Sequence, residues 1–110
     1  MGGAKKRLRI AVDCYEVTKE LTGVGRVIHN ILLSLCREQG GYEFHVFSRR
    51  EVKDYSKCRN IKQYVLPEDK GYFRWQNGSF FRGVKECHPE LLIAPNYTLP
   101  FFVRTKSIVF

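Results

Sequence analysis

A handful of residues have the types and spacing to do chemistry: Asp13, the Gly23-Val24-Gly25-Arg26 segment, and Asn96-Tyr97-Thr98. Asp13 is an acid that closes a short apolar run, and Gly23 and Gly25 stand where an apolar-striped helix begins. Backbone N–H groups in the first turn of a helix lack intrahelical partners, and glycines leave little side chain in front of them. A phosphate or carboxylate would fit there, with Arg26 as an added cation. The Asn96-Tyr97-Thr98 segment is pinned between Pro95 and Pro100. Its amide and hydroxyls suit the hydroxyls of a sugar, and Tyr97 could stack on a ring face. No residue stands out as catalytic, and the pattern calls for no metal and no cofactor.

The elements that must position these residues are legible in the hydropathy. Leu8, Ile10 and Val12 form a short strand ended by Asp13. Apolar residues at Val24, Val27, Ile28, Ile31, Leu32 and Leu35 mark one helical face, predicting a helix over 24–39 that Gly40-Gly41 stops. Residues 42–48 alternate and are rich in aromatic and β-branched types, a second strand with His45 on its polar phase, where it is expected to be a surface or edge residue. Residues 49–60 read as a loop or short irregular helix, and residues 61–66 as a third strand before Pro67. The stretch 72–88 fits a helix that Asn77-Gly78 either kinks or delays, with Ser79 as an alternative N-cap, and Trp75 reads as a packing residue. Leu91-Leu92-Ile93-Ala94 is a strand buried on both faces, and residues 106–110 begin another. A buried strand is a poor place for a domain to finish, so the expectation is either a piece of something longer or a last segment that has lost its partner elements.

This order of strands and helices predicts α/β architecture, a Rossmann-like doubly wound parallel sheet with crossover helices. In such a layout strand 1 lies between strands 2 and 4, and the loops 14–25 and 95–100 face each other across the crevice at the topological switch point.

With 110 residues the chain is one domain at most, long enough to bury roughly two thirds of its unfolded surface. Apolar residues at 44% and charged residues at 27% argue against disorder over most of the length. No apolar run approaches the roughly 20 residues that span a bilayer. Asp13 cuts the first apolar run too early for a signal peptide, and Lys6 occupies the position where a myristoylation signal has Ser or Thr. A soluble cytoplasmic protein is therefore expected. The four cysteines, Cys14, Cys36, Cys58 and Cys87, form no C-x-x-C pair and are expected to be reduced.

The net charge of +8 is local: residues 5–7 and 49–62 carry nearly all of it. A basic tail and one loop are not a helix face shaped for a groove, and aromatic residues between the bases are reduced to Tyr55, so nucleic acid is not expected as a partner. Solvated charge is the plain reading. Attraction to anionic lipid head groups, a peripheral membrane contact, or to a phosphorylated ligand is the alternative.

Familiar phosphate motifs fail. Gly25 is followed by Arg26-Val27, not the Lys-Ser/Thr of a Walker loop, and Ile28 stands where a dinucleotide fingerprint has its third glycine. A receiver domain wants a carboxylate at the end of strand 3, where Leu66-Pro67 stands. The combination of Ile10-Ala11-Val12-Asp13, Leu21-Thr22-Gly23-Val24-Gly25-Arg26, Leu32-Leu33-Ser34-Leu35, Phe44-His45-Val46-Phe47-Ser48, Trp75-Gln76-Asn77 and Pro89-Glu90-Leu91-Leu92-Ile93-Ala94-Pro95-Asn96-Tyr97-Thr98-Leu99-Pro100 resembles the N-terminal domain of a GT-B fold glycosyltransferase of family 4. The likeness runs along nearly the whole chain, and departs from the family at Cys14-Tyr15 and Gln76-Asn77.

The resemblance implies that residues 1–110 are the N-terminal, acceptor-side part of an enzyme moving a sugar from a nucleotide-sugar donor to a sugar or lipid-linked acceptor, with retention of configuration. It carries Gly23, Gly25 and Arg26 to the donor diphosphate and acceptor loop, and Asp13, Asn96, Tyr97 and Thr98 to the acceptor side. It also implies a partner domain, C-terminal to this one, for the donor, and no transfer by this chain alone. The rival reading is a non-catalytic Rossmann-like module holding an anionic ligand at Gly23–Arg26.

Overall fold

The computed structural model describes residues 7–18, 23–36, 41–66, 71–95, 99–100 and 104–109. Five strands, β1 (Leu8–Asp13), β2 (Tyr42–Ser48), β3 (Ile61–Val65), β4 (Leu91–Ala94) and β5 (Ser107–Val109), form one sheet in the order β3-β2-β1-β4-β5. Every pairing is parallel. The expected neighbours of the first strand are therefore the ones it has, and helices cover both faces of this α/β sheet.

Strand alternation sorts side chains between two cores. Ile10, Val12, Phe44 and Val46 point to the face covered by helix α1 (Gly23–Leu35), where they meet Ile28 and Leu32, and by the single turn α2 (Lys53–Ser56), which inserts Tyr55. Ala11, Phe47 and Leu92 point to the other face, against Trp75, Phe80 and Val84. A strand sandwiched this way must be apolar on both phases, as the centre of a parallel sheet requires. The helix face is narrower than its sequence stripe: Ile28 and Leu32 are buried, whereas Val27 and Ile31 are 49% and 40% exposed. His29 takes an inward position instead, its Nδ1 2.7 Å from the Tyr55 hydroxyl.

The segment after β3 is one uninterrupted helix in three parts: α3 (Tyr72–Trp75), a π-helical turn (Gln76–Phe80) and α4 (Phe81–Cys87). The helix starts at Tyr72, so Asn77-Gly78 does not delay it and Ser79 is not its N-cap; the chain passes through these residues in π geometry. His88 closes the helix in the left-handed conformation at φ 49°, and Pro89 follows. Trp75 is fully buried, its Nε1 donating to the Leu66 carbonyl at 2.8 Å, which ties the helix to the end of β3.

Two expectations are overturned. His45 is not a surface residue but 5% exposed, with Nδ1 2.8 Å from the Tyr64 hydroxyl and Nε2 2.6 Å from Glu43 Oε1. The alternation gave its phase correctly, but that phase is the second covered face. Nor are all four cysteines reduced: Cys36 and Cys58 form a disulfide, with Cα atoms 5.1 Å apart, while Cys14 and Cys87 are free. Their separation of 22 residues conceals that the end of α1 and the turn before β3 meet at one end of the sheet. Asn60 reinforces the junction, its side-chain amide donating to the Leu35 carbonyl at 2.9 Å. Among the described residues no helix is long and apolar enough to cross a membrane.

Closing a loop of this length restricts the unfolded chain by about 3 kcal/mol. Urea unfolding with and without dithiothreitol should therefore differ by about that amount, and Cys58→Ser should reproduce the reduced curve without reductant.

Candidate functional site

Parallel pairing of Val12 with Ile93 sets the C-terminal ends of β1 and β4 side by side, so the segments following Asp13 and Ala94 leave the sheet next to one another. Crossovers run from β1 toward β2 and from β4 toward β5, in opposite directions, which makes this end of the sheet the topological switch point. Pro95 is buried at the end of β4; Asn96, Tyr97 and Thr98 lie outside the described residues.

Asp13 belongs to the phase of β1 that faces the helix after β3. The residue is 1% exposed and both carboxylate oxygens are engaged. Oδ1 accepts the Tyr15 backbone N–H at 3.0 Å, and Oδ2 accepts the Tyr72 hydroxyl at 2.5 Å. The Tyr72 oxygen in turn accepts from the Gln76 side-chain amide at 2.9 Å. Aromatic rings seal the arrangement: Tyr15 meets Tyr72 and Trp75 edge-on, with centroids 4.9 and 5.0 Å apart. Outside them Arg49 lies 3.8 Å above the Tyr15 ring and donates from Nε to the Tyr15 carbonyl at 3.1 Å. The basic loop thus places one of its cations on the wall of the site.

Burial pushes the Asp13 carboxyl up to about 6 from an ordinary 3.8; the Tyr72 hydroxyl and Tyr15 N–H oppose that rise, and Glu16 adds to it. Cys14, next along and fully buried on the other face, has its thiol pushed well up by burial, so it is a small hydrophobe rather than a nucleophile.

Gly23 and Gly25, expected to play one role, play two. Gly23 is exposed with φ +48° and open space where a side chain would stand. Gly25 is buried: an added Cβ would lie 2.3 Å from the Glu16 carbonyl oxygen, so this glycine lets α1 pack against the loop after β1. Arg26 is exposed on the first turn of α1, which carries no acidic residue. The sequence alone does not mark Tyr72, Gln76, Tyr15 or Arg49 as site residues. The only sequence signal for the first two was their i, i+4 spacing, which puts both on one helix face.

Comparison with known proteins adds nothing to this geometry: no protein-family model, curated protein or solved structure matches the chain.

An acid whose pKa is higher folded than unfolded contributes stability below pH 4 that is lost as pH rises through 6. The loss is about 3 kcal/mol. Asp13→Asn cannot ionise, so the stability difference between variant and parent should grow by about that amount in favour of the variant from pH 4 to pH 7, measured by urea unfolding. Gly25→Ala should destabilise by about 1–3 kcal/mol through collision with the Glu16 carbonyl. Gly23→Ala, with room but an unfavourable φ, should cost about 1 kcal/mol.

Proposed function

We propose that this chain is the acceptor-side portion of a GT-B glycosyltransferase of the family 4 type, a Rossmann-like domain that works with a donor-binding partner domain to move a sugar from a nucleotide sugar to an acceptor. The observation that carries this reading is the position of Asp13, an acid at the end of the central strand and at the switch point, where parallel sheets take their ligands. The resemblance supplies the chemistry: a carboxylate accepts a sugar hydroxyl well, and the Asn96-Tyr97-Thr98 segment follows the neighbouring strand in sequence. Asp13 is sealed by Tyr72, so an acceptor hydroxyl reaches it by displacing or joining that phenol. The donor diphosphate belongs at the open start of α1, near Gly23 and Arg26, with retention of configuration.

A cytoplasmic setting, with the basic loop near anionic lipid, belongs to the same reading. The Cys36–Cys58 bond opposes it, since the reducing cytosol opens most disulfides. One observation favours the rival, a non-catalytic module for an anionic ligand at Gly23–Arg26: α1 begins at an exposed glycine with no acid in its first turn.

Calorimetry separates the two. The glycosyltransferase reading expects weak or no binding of UDP- and GDP-sugars by this chain alone, and measurable binding of a methyl glycoside or a polyprenyl phosphate that Asp13→Ala abolishes. Tight nucleotide-sugar binding lost on Arg26→Ala would favour the module. A transfer assay with the same donors should show no turnover by this chain, and turnover would contradict the division of labour proposed.

A further inference from the structure

A buried carboxylate is stable as an anion only if donors surround it, and among the described residues Asp13 has two of unequal origin. The Tyr15 N–H belongs to its own loop and comes with the backbone turn. The Tyr72 hydroxyl comes from a different element, 59 residues away, and is set by a third residue, Gln76. Gln76 is itself 2% exposed and is the first residue of the π turn. Such turns inside α-helices concentrate at functional sites.

We propose that Tyr72 is a positioning residue of the crevice, whose hydroxyl, steered by Gln76 from the π turn, holds the Asp13 side chain as an anion in one orientation at the end of β1. The proposal rests on the glycosyltransferase reading only for the identity of the ligand, an acceptor hydroxyl.

Among the described residues Tyr72 is the deciding group. On its own loop Asp13 faces Tyr15 and Glu16, the latter opposing ionisation. From β2 its register partner is Phe47, which carries no charge, and the end of β4 alongside is Ile93 and Ala94. From the helix come Tyr72 and, through it, Gln76. Arg49 is spent on the Tyr15 ring and carbonyl. Without the phenol, one N–H remains against full burial, and the carboxyl takes up a proton at neutral pH.

The test is a ¹³C titration of the Asp13 carboxyl carbon in aspartate-labelled protein, parent against Tyr72→Phe and Gln76→Met. Tyr72→Phe keeps the ring and its packing on Tyr15, and is expected to raise the proton affinity of Asp13 by about tenfold. Gln76→Met, which leaves the phenol in place but unsteered, should give a smaller rise in the same direction. A packing role alone would leave the midpoint unmoved in both. An unchanged midpoint in Tyr72→Phe, with a native-like spectrum, overturns the proposal. If Tyr72→Phe fails to fold, the Gln76→Met midpoint decides alone, upward in support and unchanged against. Calorimetry with a methyl glycoside tests the ligand separately: binding weakened in Tyr72→Phe at pH 6.5 and recovered at pH 8 supports the pairing with an acceptor. No binding by the parent at any pH, beside a shifted titration, leaves Tyr72 in its role and removes the glycosyltransferase reading instead.

Discussion

The structure depends on one electrostatic constraint, a carboxylate held out of water at the end of its central strand. β1 is flanked on both sides and covered on both faces, so whatever ends it is buried by construction. Placing an acid there opposes folding unless hydrogen bonds replace the lost hydration. The backbone turn at Tyr15 supplies one donor, but the second has to come from elsewhere in the chain. The helix following β3 is the element that delivers it, and its packing on the sheet is thereby coupled to the charge at the switch point.

That coupling explains the density of aromatic residues around the site. Tyr15, Tyr72, Trp75 and Phe80 form a continuous run of edge-on and stacked rings, and Phe47 extends it to Tyr64 on β3. Rings of this size exclude water at little entropic cost per unit area, and each phenol or indole still offers a polar end. Trp75 uses its N–H to hold the end of β3 and Tyr72 its hydroxyl to hold the end of β1. One helix therefore fastens two strand ends through side chains three residues apart, and the π turn that begins one residue later carries the support for the second.

The sheet was legible in the sequence because it is governed by periodicity. The run ending at Asp13, the striped helix after it and the uninterrupted Leu91–Ala94 strand each had one sensible reading, and their order imposed the parallel arrangement with β1 between β2 and β4. What remained illegible needed spatial knowledge. The alternation that put His45 on the polar phase could not say that this phase was covered. The spacing of Cys36 and Cys58 could not say that their elements converge. Gly25 looked like an open anion site because a glycine's purpose is set by what approaches it, here the Glu16 carbonyl. Asp13 stands out in the sequence for its place at a strand end, but its partner lies far along the chain, on a helix whose start the sequence leaves ambiguous.

The bond between Cys36 and Cys58 also changes what a broken backbone would mean. β2, α2 and the basic loop as far as Lys57 lie between the two sulfurs, so a protease that cuts once among them nicks the polypeptide without freeing a fragment. The pieces migrate together until a thiol is added, and a digestion map of this protein made under non-reducing conditions would mistake a severed molecule for a resistant one.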